Sequence, residues 1–217
     1  MERLTLVIAN KNYSSWSLRP WLAMRQAGIP FTEILISLAE TPEAKAVFQK
    51  YSPSRRVPVL IDGDLTLWES IAICEYVAEQ FPLAQLWPRE QKARAVARTI
   101  SAEMHSGFVS LRQNMPMDIR ARHPGEGLTP DVGNDIARIT TIWRECRTTY
   151  GGEGKFLFGH FTIADAMFAP VVTRFVTYGV EVDGISEQYQ ESILALEAMR
   201  AWSAAAQAET ETVPNRL

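Results

Sequence analysis

Residues 52–73 read SPSRRVPVLIDGDLTLWESIAI and contain the strongest structural signals of the chain. Two short apolar runs, Val59–Ile61 and Leu65–Leu67, flank Asp62-Gly63-Asp64, which is typical of a β-hairpin. The Val57–Pro58 step ahead of the first run is unusual, because proline cannot donate a hydrogen bond to a sheet. A cis bond at this step would turn the backbone outward, so that the amide of Val57 faces a ligand.

The hairpin leads into a helix whose first residues are an acid and a hydroxyl. Glu69-Ser70 opens an amphipathic pattern that predicts a helix over 70–80. The N-terminus of a helix attracts anions, because its first N–H groups are unpaired and lie at the positive end of the helix dipole. A carboxylate can therefore bind at Ser70. Together with Val57, this predicts a cavity that holds a small peptide by its backbone and its α-carboxylate.

The segments before the hairpin complete an α/β unit. Each is a short β-rich run or a helical pattern that ends at turn residues. The predicted elements are a strand over 4–9, a helix that Ser15 or Ser17 caps and Gly28 ends, a strand over 31–36 and a helix that starts at Thr41-Pro42. The resulting order is βαβαββα.

The chain changes character near residue 82. Beyond the proline-rich connector, every periodic segment predicts a helix, with helices expected over 91–114, 131–149, 162–176 and 187–208. Phe161 and Thr162-Ile163-Ala164-Asp165 have the form of a capping box with its hydrophobic staple, which we interpret as structural. We predict an α/β domain over 1–82, a linker over 83–90 and an all-helical domain over 91–217.

Composition limits the function. The chain has 217 residues and a formal net charge of −3, so neither nucleic acid nor a membrane is an expected partner. Met1–Leu4 lacks the form of a signal peptide. Cys74 and Cys146 are in neither metal-ligand nor CxxC spacing, so we expect no metal and a reduced, cytoplasmic location.

Four local matches, in this order and spacing, give the chain a resemblance to the cytosolic glutathione S-transferases over nearly its whole length. They are NYSSWS at 12–17, SPSRRVP at 52–58, ESIAI at 69–73 and FTIAD at 161–165. The serine-rich motif is similar to that of zeta-class and related bacterial members, although Trp16 stands where the zeta class has cysteine and Ser52 where the family has asparagine. The resemblance implies a thioredoxin-like N-terminal domain, an all-helical C-terminal domain, a homodimer and glutathione as co-substrate.

The resemblance also implies roles for the motif residues. A free thiol has a pKa of about 8.5, so a hydroxyl that donates to the thiolate at a helix N-terminus would raise its reactive fraction. Ser14 is favoured for this role and Ser15 is the second candidate, while Tyr13 is a further hydroxyl donor. The residues expected to hold glutathione are Arg56, Val57, Pro58, Glu69 and Ser70.

The electrophile is expected between the two domains. Its candidate walls are Trp16, Met104, His105, Phe108, Arg112 and Met115, and the spacing of His105, Phe108 and Arg112 places these three on one helix face. His105 either polarises a substrate carbonyl or is a core histidine. Arg112 either binds an acidic substrate or pairs across a dimer interface, and whether an acid from the partner chain, such as Glu103, reaches glutathione is open.

The resemblance implies three alternative functions. The favoured one is a glutathione S-transferase that conjugates hydrophobic small-molecule electrophiles, as in detoxification. A glutathione-dependent isomerase of the maleylacetoacetate type, or a peroxidase, would use the same site. A non-catalytic ligand-binding or regulatory protein of this fold is the third, although such a protein has no use for a peptide clamp.

Overall fold

A computed structural model describes residues 4–39 and 41–213 of the chain. Its first half contains strands β1 (Thr5–Ala9), β2 (Thr32–Ile36), β3 (Val59–Asp62) and β4 (Leu65–Trp68), with helices α1 (Ser15–Gln26), α2 (Pro42–Tyr51) and α3 (Ser70–Gln80). After a short 3₁₀ turn at Pro82–Ala84, the second half consists of helices alone. These are α4 (Gln91–Ser106), α5 (Val109–Asn114), α6 (Pro130–Tyr150), α7 (Ile163–Tyr178), α8 (Gly184–Leu194) and α9 (Glu197–Ala208).

The four strands form one mixed sheet in the order β2-β1-β3-β4. β1 runs parallel to β2 and antiparallel to β3, so that Val7 lies opposite both Ile34 and Val59. The parallel pair requires a crossover, which α1 provides, whereas β3 and β4 are joined directly by the predicted hairpin. The predicted order βαβαββα and the fold class, α/β followed by all-α, are confirmed.

Alternate residues of the sheet face two different layers. Leu6, Ile8 and Leu60 belong to the main core, together with apolar residues of α1 and α3. Val7 and Val59 belong to a smaller cluster on the opposite face, against side chains of α2. This follows from the two-residue period of a strand, which sends successive side chains to opposite faces. Both faces of the sheet are therefore covered by helices, whereas the ends of its strands are available to form a binding site.

Two predicted helices are each divided in the structure. The helix predicted over 91–114 ends at Ser106, because Gly107 leaves the helical conformation and Phe108 is left-handed, with a φ of 58°. The prediction that His105, Phe108 and Arg112 share one helix face is therefore wrong. The helix predicted over 187–208 is likewise two helices, α8 and α9, with the break after Leu194.

Helix α7 is the centre of the helical half, and nearly all its residues are buried. At its start the carboxylate of Asp165 accepts hydrogen bonds from the backbone N–H groups of Thr162 (2.8 Å) and Leu157 (3.1 Å), and from the Thr162 hydroxyl (3.1 Å). Burial raises the pKa of Asp165 to about 6, and these hydrogen bonds lower it against that effect. The structural role predicted for Thr162 and Asp165 agrees with these contacts.

The two halves meet along α1. This helix packs against α3 in its own half and against α7 and α9 in the other. The Lys11 ammonium lies over the rings of both Trp21 and Trp202, at 5.3 and 5.5 Å from their centroids, and pairs with Glu33 at 2.6 Å. None of the described helices is both long and apolar enough to span a membrane. The domain boundary at residue 82 stays a prediction.

Candidate active site

A cavity of about 740 Å³ lies between the sheet half and the helical half. Its size is within the range of small-molecule sites, roughly 300–1,000 Å³. The structure brings together at this cavity most of the residues that the sequence proposed for the site, from both halves of the chain: Ser14, Ser15, Trp16, Arg56, Val57, Pro58, Glu69, Ser70, His105 and Arg112.

Three of the candidate wall residues do not reach the cavity. Met104, Phe108 and Met115 are buried in the main core. For Phe108 the cause is the break after α4, which removes it from the helix face of His105. In their place Pro116, Met117 and Arg174 line this side of the cavity.

The serines at the start of α1 have different partners. Ser14, rather than the predicted Ser15 or Ser17, is the N-cap residue, and its hydroxyl accepts from the Ser17 N–H at 3.4 Å. The same hydroxyl donates to Oγ of Ser17 (2.7 Å), which also accepts from the N–H of Ala9 at 3.2 Å. The Ser15 hydroxyl has no hydrogen-bond partner within the described part of the protein. Ser15 is therefore the serine whose hydroxyl is free toward the cavity.

The backbone at Val57 is also free to bind. The Val57–Pro58 peptide bond is cis, as predicted. Neither the N–H nor the C=O of Val57 makes a hydrogen bond to any of the described residues, and β3 begins only at Val59. The preceding turn is closed by Ser52, whose hydroxyl accepts from the Arg56 N–H (2.9 Å) and donates to the Arg56 carbonyl (2.6 Å). Ser52 therefore closes this turn with two hydrogen bonds, at the position where the resemblance led us to expect asparagine.

Ser70 is a buried hydroxyl without a partner. It is the first residue of α3, it is 1% exposed, and its Oγ accepts and donates no hydrogen bond among residues 4–39 and 41–213. Glu69 precedes it with a φ of 71°, and this side chain is half exposed. An unsatisfied hydroxyl beside free N–H groups at a helix N-terminus is a site for a carboxylate.

Two arginine guanidinium groups lie against the ring of Trp16. Its ring centroid lies 4.1 Å from the guanidinium carbon of Arg19 and 4.7 Å from that of Arg112. The His105 ring meets it edge-on at 5.1 Å, and His105 Nε2 is 3.5 Å from Glu69. Burial, followed by the charge of Arg19, lowers the pKa of His105, so this imidazole is neutral at pH 7.

Arg174 of α7 is buried and lines the cavity, and it was not proposed from the sequence. Its Nε donates to the Met115 carbonyl at 2.9 Å. Burial, and then the charge of Arg112, lowers the pKa of Arg174 to about 10, and the pKa values of Arg19 and Arg112 are lowered chiefly by burial as well. The available signal was an arginine in the largely apolar second half of the helix predicted over 162–176.

Arg19, Arg112 and Arg174 form no close ion pair among the described residues, although the charge of Asp135 acts on Arg112 and raises its pKa against the effect of burial. Within the described ranges, no carboxylate oxygen lies within 4.0 Å of a side-chain nitrogen of Arg19, Arg112 or Arg174. A buried charge is normally paired, because its desolvation is costly. This end of the cavity is therefore suited to an anion. No group of three or more His, Cys, Asp or Glu side chains in the described chain is arranged to hold a metal ion.

Comparisons with known proteins agree with this architecture. The family models of the glutathione S-transferase N-terminal and C-terminal domains match residues 13–80 and 130–205. Glutathione S-transferase Z1 of Arabidopsis thaliana is 33% identical over 169 residues, which are 75% of each chain. Maleylacetoacetate isomerase of Rattus norvegicus is 28% identical over 193 residues, 86% of this chain and 85% of the relative.

A solved structure is similar over the whole length. The glutathione transferase homolog from Burkholderia with bound glutathione superposes with a TM-score of 0.73, at 23% identity, and the match covers 96% of this chain and 100% of that chain. Some relatives match only in part: the dichloromethane dehalogenase of Methylorubrum extorquens is 38% identical over 65 residues, 30% of this chain and 23% of its own. Both domain models and a relative matched over three quarters of its length show that the chain belongs to the glutathione S-transferase family.

Proposed function

We propose that this protein binds reduced glutathione in the cavity between its halves and uses the thiolate as a nucleophile toward a small electrophile. The observation that carries the proposal is the buried hydroxyl of Ser70 at the start of α3, which lines the same cavity as the backbone of Val57; neither group has a hydrogen-bond partner among the described residues. These two features match the two ends of a γ-glutamyl-cysteinyl unit, which offers a carboxylate and an extended peptide.

The binding groups divide by chemistry. Ser70 and the N–H groups at the start of α3 hold the γ-glutamyl carboxylate, and Glu69 accepts from the α-amino group. Val57 pairs its N–H and C=O with the cysteinyl residue, as a strand would. Arg56 is exposed at the edge of the cavity and neutralises the glycyl carboxylate. Pro58 is buried and lines this edge of the cavity.

The thiolate needs a donor, and the structure favours Ser15 over Ser14. The Ser14 hydroxyl already donates to Ser17, whereas the Ser15 hydroxyl has no partner among the described residues. A hydroxyl that donates to the sulfur at the N-terminus of α1 lowers the thiol pKa by stabilising its charged form. The gain in rate comes from this stabilisation and from holding both reactants in one cavity.

A second candidate, a glutathione-dependent isomerase of an unsaturated acid, is favoured by one observation. Arg112 and Arg174 line the electrophile side of the cavity, and no carboxylate oxygen of the described residues lies within 4.0 Å of either guanidinium. Such a site binds an electrophile that carries a carboxylate better than a neutral one. The rat relative is named for an isomerase whose substrate is an acid of this kind.

Isothermal titration with reduced glutathione tests the first proposal. We expect saturable binding that Ser70→Ala weakens, and turnover that Ser15→Ala lowers by about tenfold or more while Ser14→Ala acts mainly on stability. Thermal unfolding of each variant separates the two effects. An absence of binding at millimolar glutathione would contradict the proposal, and equal turnover in wild type and Ser15→Ala would contradict the role of Ser15.

A substrate comparison separates transferase from isomerase. Neutral aryl halides and unsaturated dicarboxylates are assayed with glutathione in parallel, in wild type, Arg112→Met and Arg112→Lys. For a carboxylate substrate we expect Arg112→Met to raise KM by about tenfold or more, and Arg112→Lys to raise it less, because lysine keeps the charge. Equal KM values for all three proteins would show that Arg112 does not bind the substrate.

We also propose a cytoplasmic homodimer, which is typical of the family to which the chain belongs. The mass in solution, measured by light scattering over a range of concentrations, tests the dimer. A mass near the 24.4 kDa of one chain would contradict it.

A further inference from the structure

The segment after α9 contacts the loop that precedes α1. We call residues 209–213 the C-terminal strap and residues 10–14 the serine loop. The carboxylate of Glu209 accepts hydrogen bonds from two consecutive backbone N–H groups of the serine loop, those of Lys11 at 2.6 Å and Asn12 at 3.0 Å. One oxygen binds each N–H, so the carboxylate fixes the direction of both peptide groups.

Glu211 and Arg120 make further contacts between the strap, the serine loop and the residues around them. Glu211 accepts from the side-chain amide of Asn10 at 2.8 Å and from the hydroxyl of Ser37 at 2.6 Å. The guanidinium of Arg120 donates to the backbone carbonyls of Glu209 and Glu211, and to the hydroxyl of Tyr13 at 2.8 Å. The strap is therefore bound by several specific polar contacts rather than lying loosely on the surface.

The conformation of the serine loop determines where Ser14 and Ser15 lie. The carbonyl of Asn10 accepts from the N–H groups of Tyr13 (3.1 Å) and Ser14 (2.9 Å), so the orientation of the peptide groups at 10–12 determines where α1 begins. Glu209 is the charged group that binds the backbone N–H groups of Lys11 and Asn12. Glu211, Asp118 and Arg120 bind side chains of the loop instead, and the Lys11 ammonium is turned away to Glu33 and two tryptophan rings. Hydrogen bonds to a carboxylate are about twice as strong as those between neutral groups.

We propose that Glu209 is a positioning residue, which acts through the serine loop to hold the Ser15 hydroxyl where it can donate to the glutathione sulfur. The inference rests on the proposed function for its catalytic consequence. Its structural part, that the strap orders the loop, concerns only residues of this chain and can be measured without glutathione.

The experiment compares wild type with Glu209→Gln and with Thr210→Ala in the full-length protein. Glutamine keeps the size of the side chain but turns an NH₂ group toward one of the two N–H donors. Thr210 is an exposed neighbour in the same strap whose side chain makes no hydrogen bond in the described structure, so it is the matched control. Amide exchange, resolved by residue with NMR, is measured in the free protein, and the ultraviolet absorbance of bound thiolate is followed against pH.

In Glu209→Gln we expect amide exchange at Tyr13 and Ser14 to rise about tenfold, although neither N–H binds the strap directly. We also expect a raised pKa of the bound thiol and a kcat that falls about tenfold, with glutathione affinity nearly unchanged. Thr210→Ala should match wild type in all four measurements.

Two results would overturn the inference. Unchanged exchange at Tyr13 and Ser14 in Glu209→Gln shows that the strap does not order the loop, whatever the protein binds. Raised exchange with an unchanged thiol pKa shows that the loop has no influence on the serines. A wild-type protein that binds no glutathione instead overturns the proposed function, and the exchange rates then still decide the role of Glu209 in the loop.

Discussion

Replacement of Ser70 by alanine should change stability and ligand binding in opposite directions. The hydroxyl is buried and has no partner among the described residues, so the free protein bears its desolvation without a compensating hydrogen bond. A ligand carboxylate would provide that hydrogen bond. A buried serine whose hydroxyl bonds to its own chain stabilises the fold, so a stabilising alanine would be evidence for a binding role.

The magnitudes follow from the contacts. An unsatisfied buried hydroxyl costs about 1–3 kcal/mol, and part of this cost is recovered when the oxygen is removed, so Ser70→Ala should raise the free energy of unfolding by up to about 1 kcal/mol. A hydrogen bond to a charged group contributes about 1.5–3 kcal/mol. Loss of this bond should weaken glutathione binding by about 10- to 150-fold.

Urea unfolding without ligand and calorimetric titration with glutathione measure the two effects. Thr129→Ala is the control, because Thr129 caps α6 through the Val132 N–H at 3.3 Å and lies away from the cavity. It should lose about 1 kcal/mol of stability and keep its glutathione affinity. A Ser70→Ala protein that is less stable than wild type and binds glutathione equally well would refute the reasoning, because the Ser70 hydroxyl would then contribute to the fold and not to binding.

Three further predictions concern the frame around the site. Burial raises the pKa of Asp165 from 3.8 to about 6, so the native state holds the proton more tightly and this contribution to stability is lost as pH rises through about 6. In Asp165→Asn, the free energy of unfolding should lose about 3 kcal/mol of its change between about pH 4 and pH 7, as measured by urea unfolding at several pH values. The same dependence of stability on pH in both proteins would contradict this. Gly154→Ala should lower the free energy of unfolding by more than about 2 kcal/mol, since a Cβ there would lie 2.1 Å from the Gly159 carbonyl oxygen. The control Gly184→Ala, whose added Cβ has no neighbour within 4 Å, should stay within about 1 kcal/mol of wild type. Equal stabilities of the two variants would be evidence against this packing. Burial raises the thiol pKa of both cysteines to about 12, so neither should react with a disulfide reagent at neutral pH until the protein unfolds, and rapid labelling of the folded protein would contradict their burial.

Much of the fold could be predicted from local patterns. The hairpin around Gly63, the cis Val57–Pro58 bond and the start of α3 at Ser70 all depend on residues close together in the chain, and all three agree with the structure. The break after α4 was missed, because Gly107 is a weak signal within a strongly periodic segment. With Phe108 in a left-handed conformation, the predicted helix face did not form.

The site was only partly predictable, for a related reason. Periodicity shows that a side chain lies on the apolar face of a helix, but it does not show whether that face meets a core or a cavity. Met104 and Arg112 both fitted the pattern, yet Met104 is fully buried and Arg112 lines the cavity. Arg174 was overlooked as a cavity residue, although an arginine in a largely apolar helical segment is unusual. Arg19 was also overlooked, and it lies against the ring of Trp16 rather than in the lining of the cavity.

The sequence by itself determined the strands and helices of the first half, their order and the two motifs that mark a peptide-binding cavity, because short-range sterics, turn chemistry and helix capping act between near neighbours. The tertiary structure alone decided which serine hydroxyl is free, which arginines face the cavity and that Glu209 binds the serine loop from 197 residues away along the chain. These facts depend on which distant groups satisfy each other's hydrogen bonds and charges, and that is settled only when the two halves pack together.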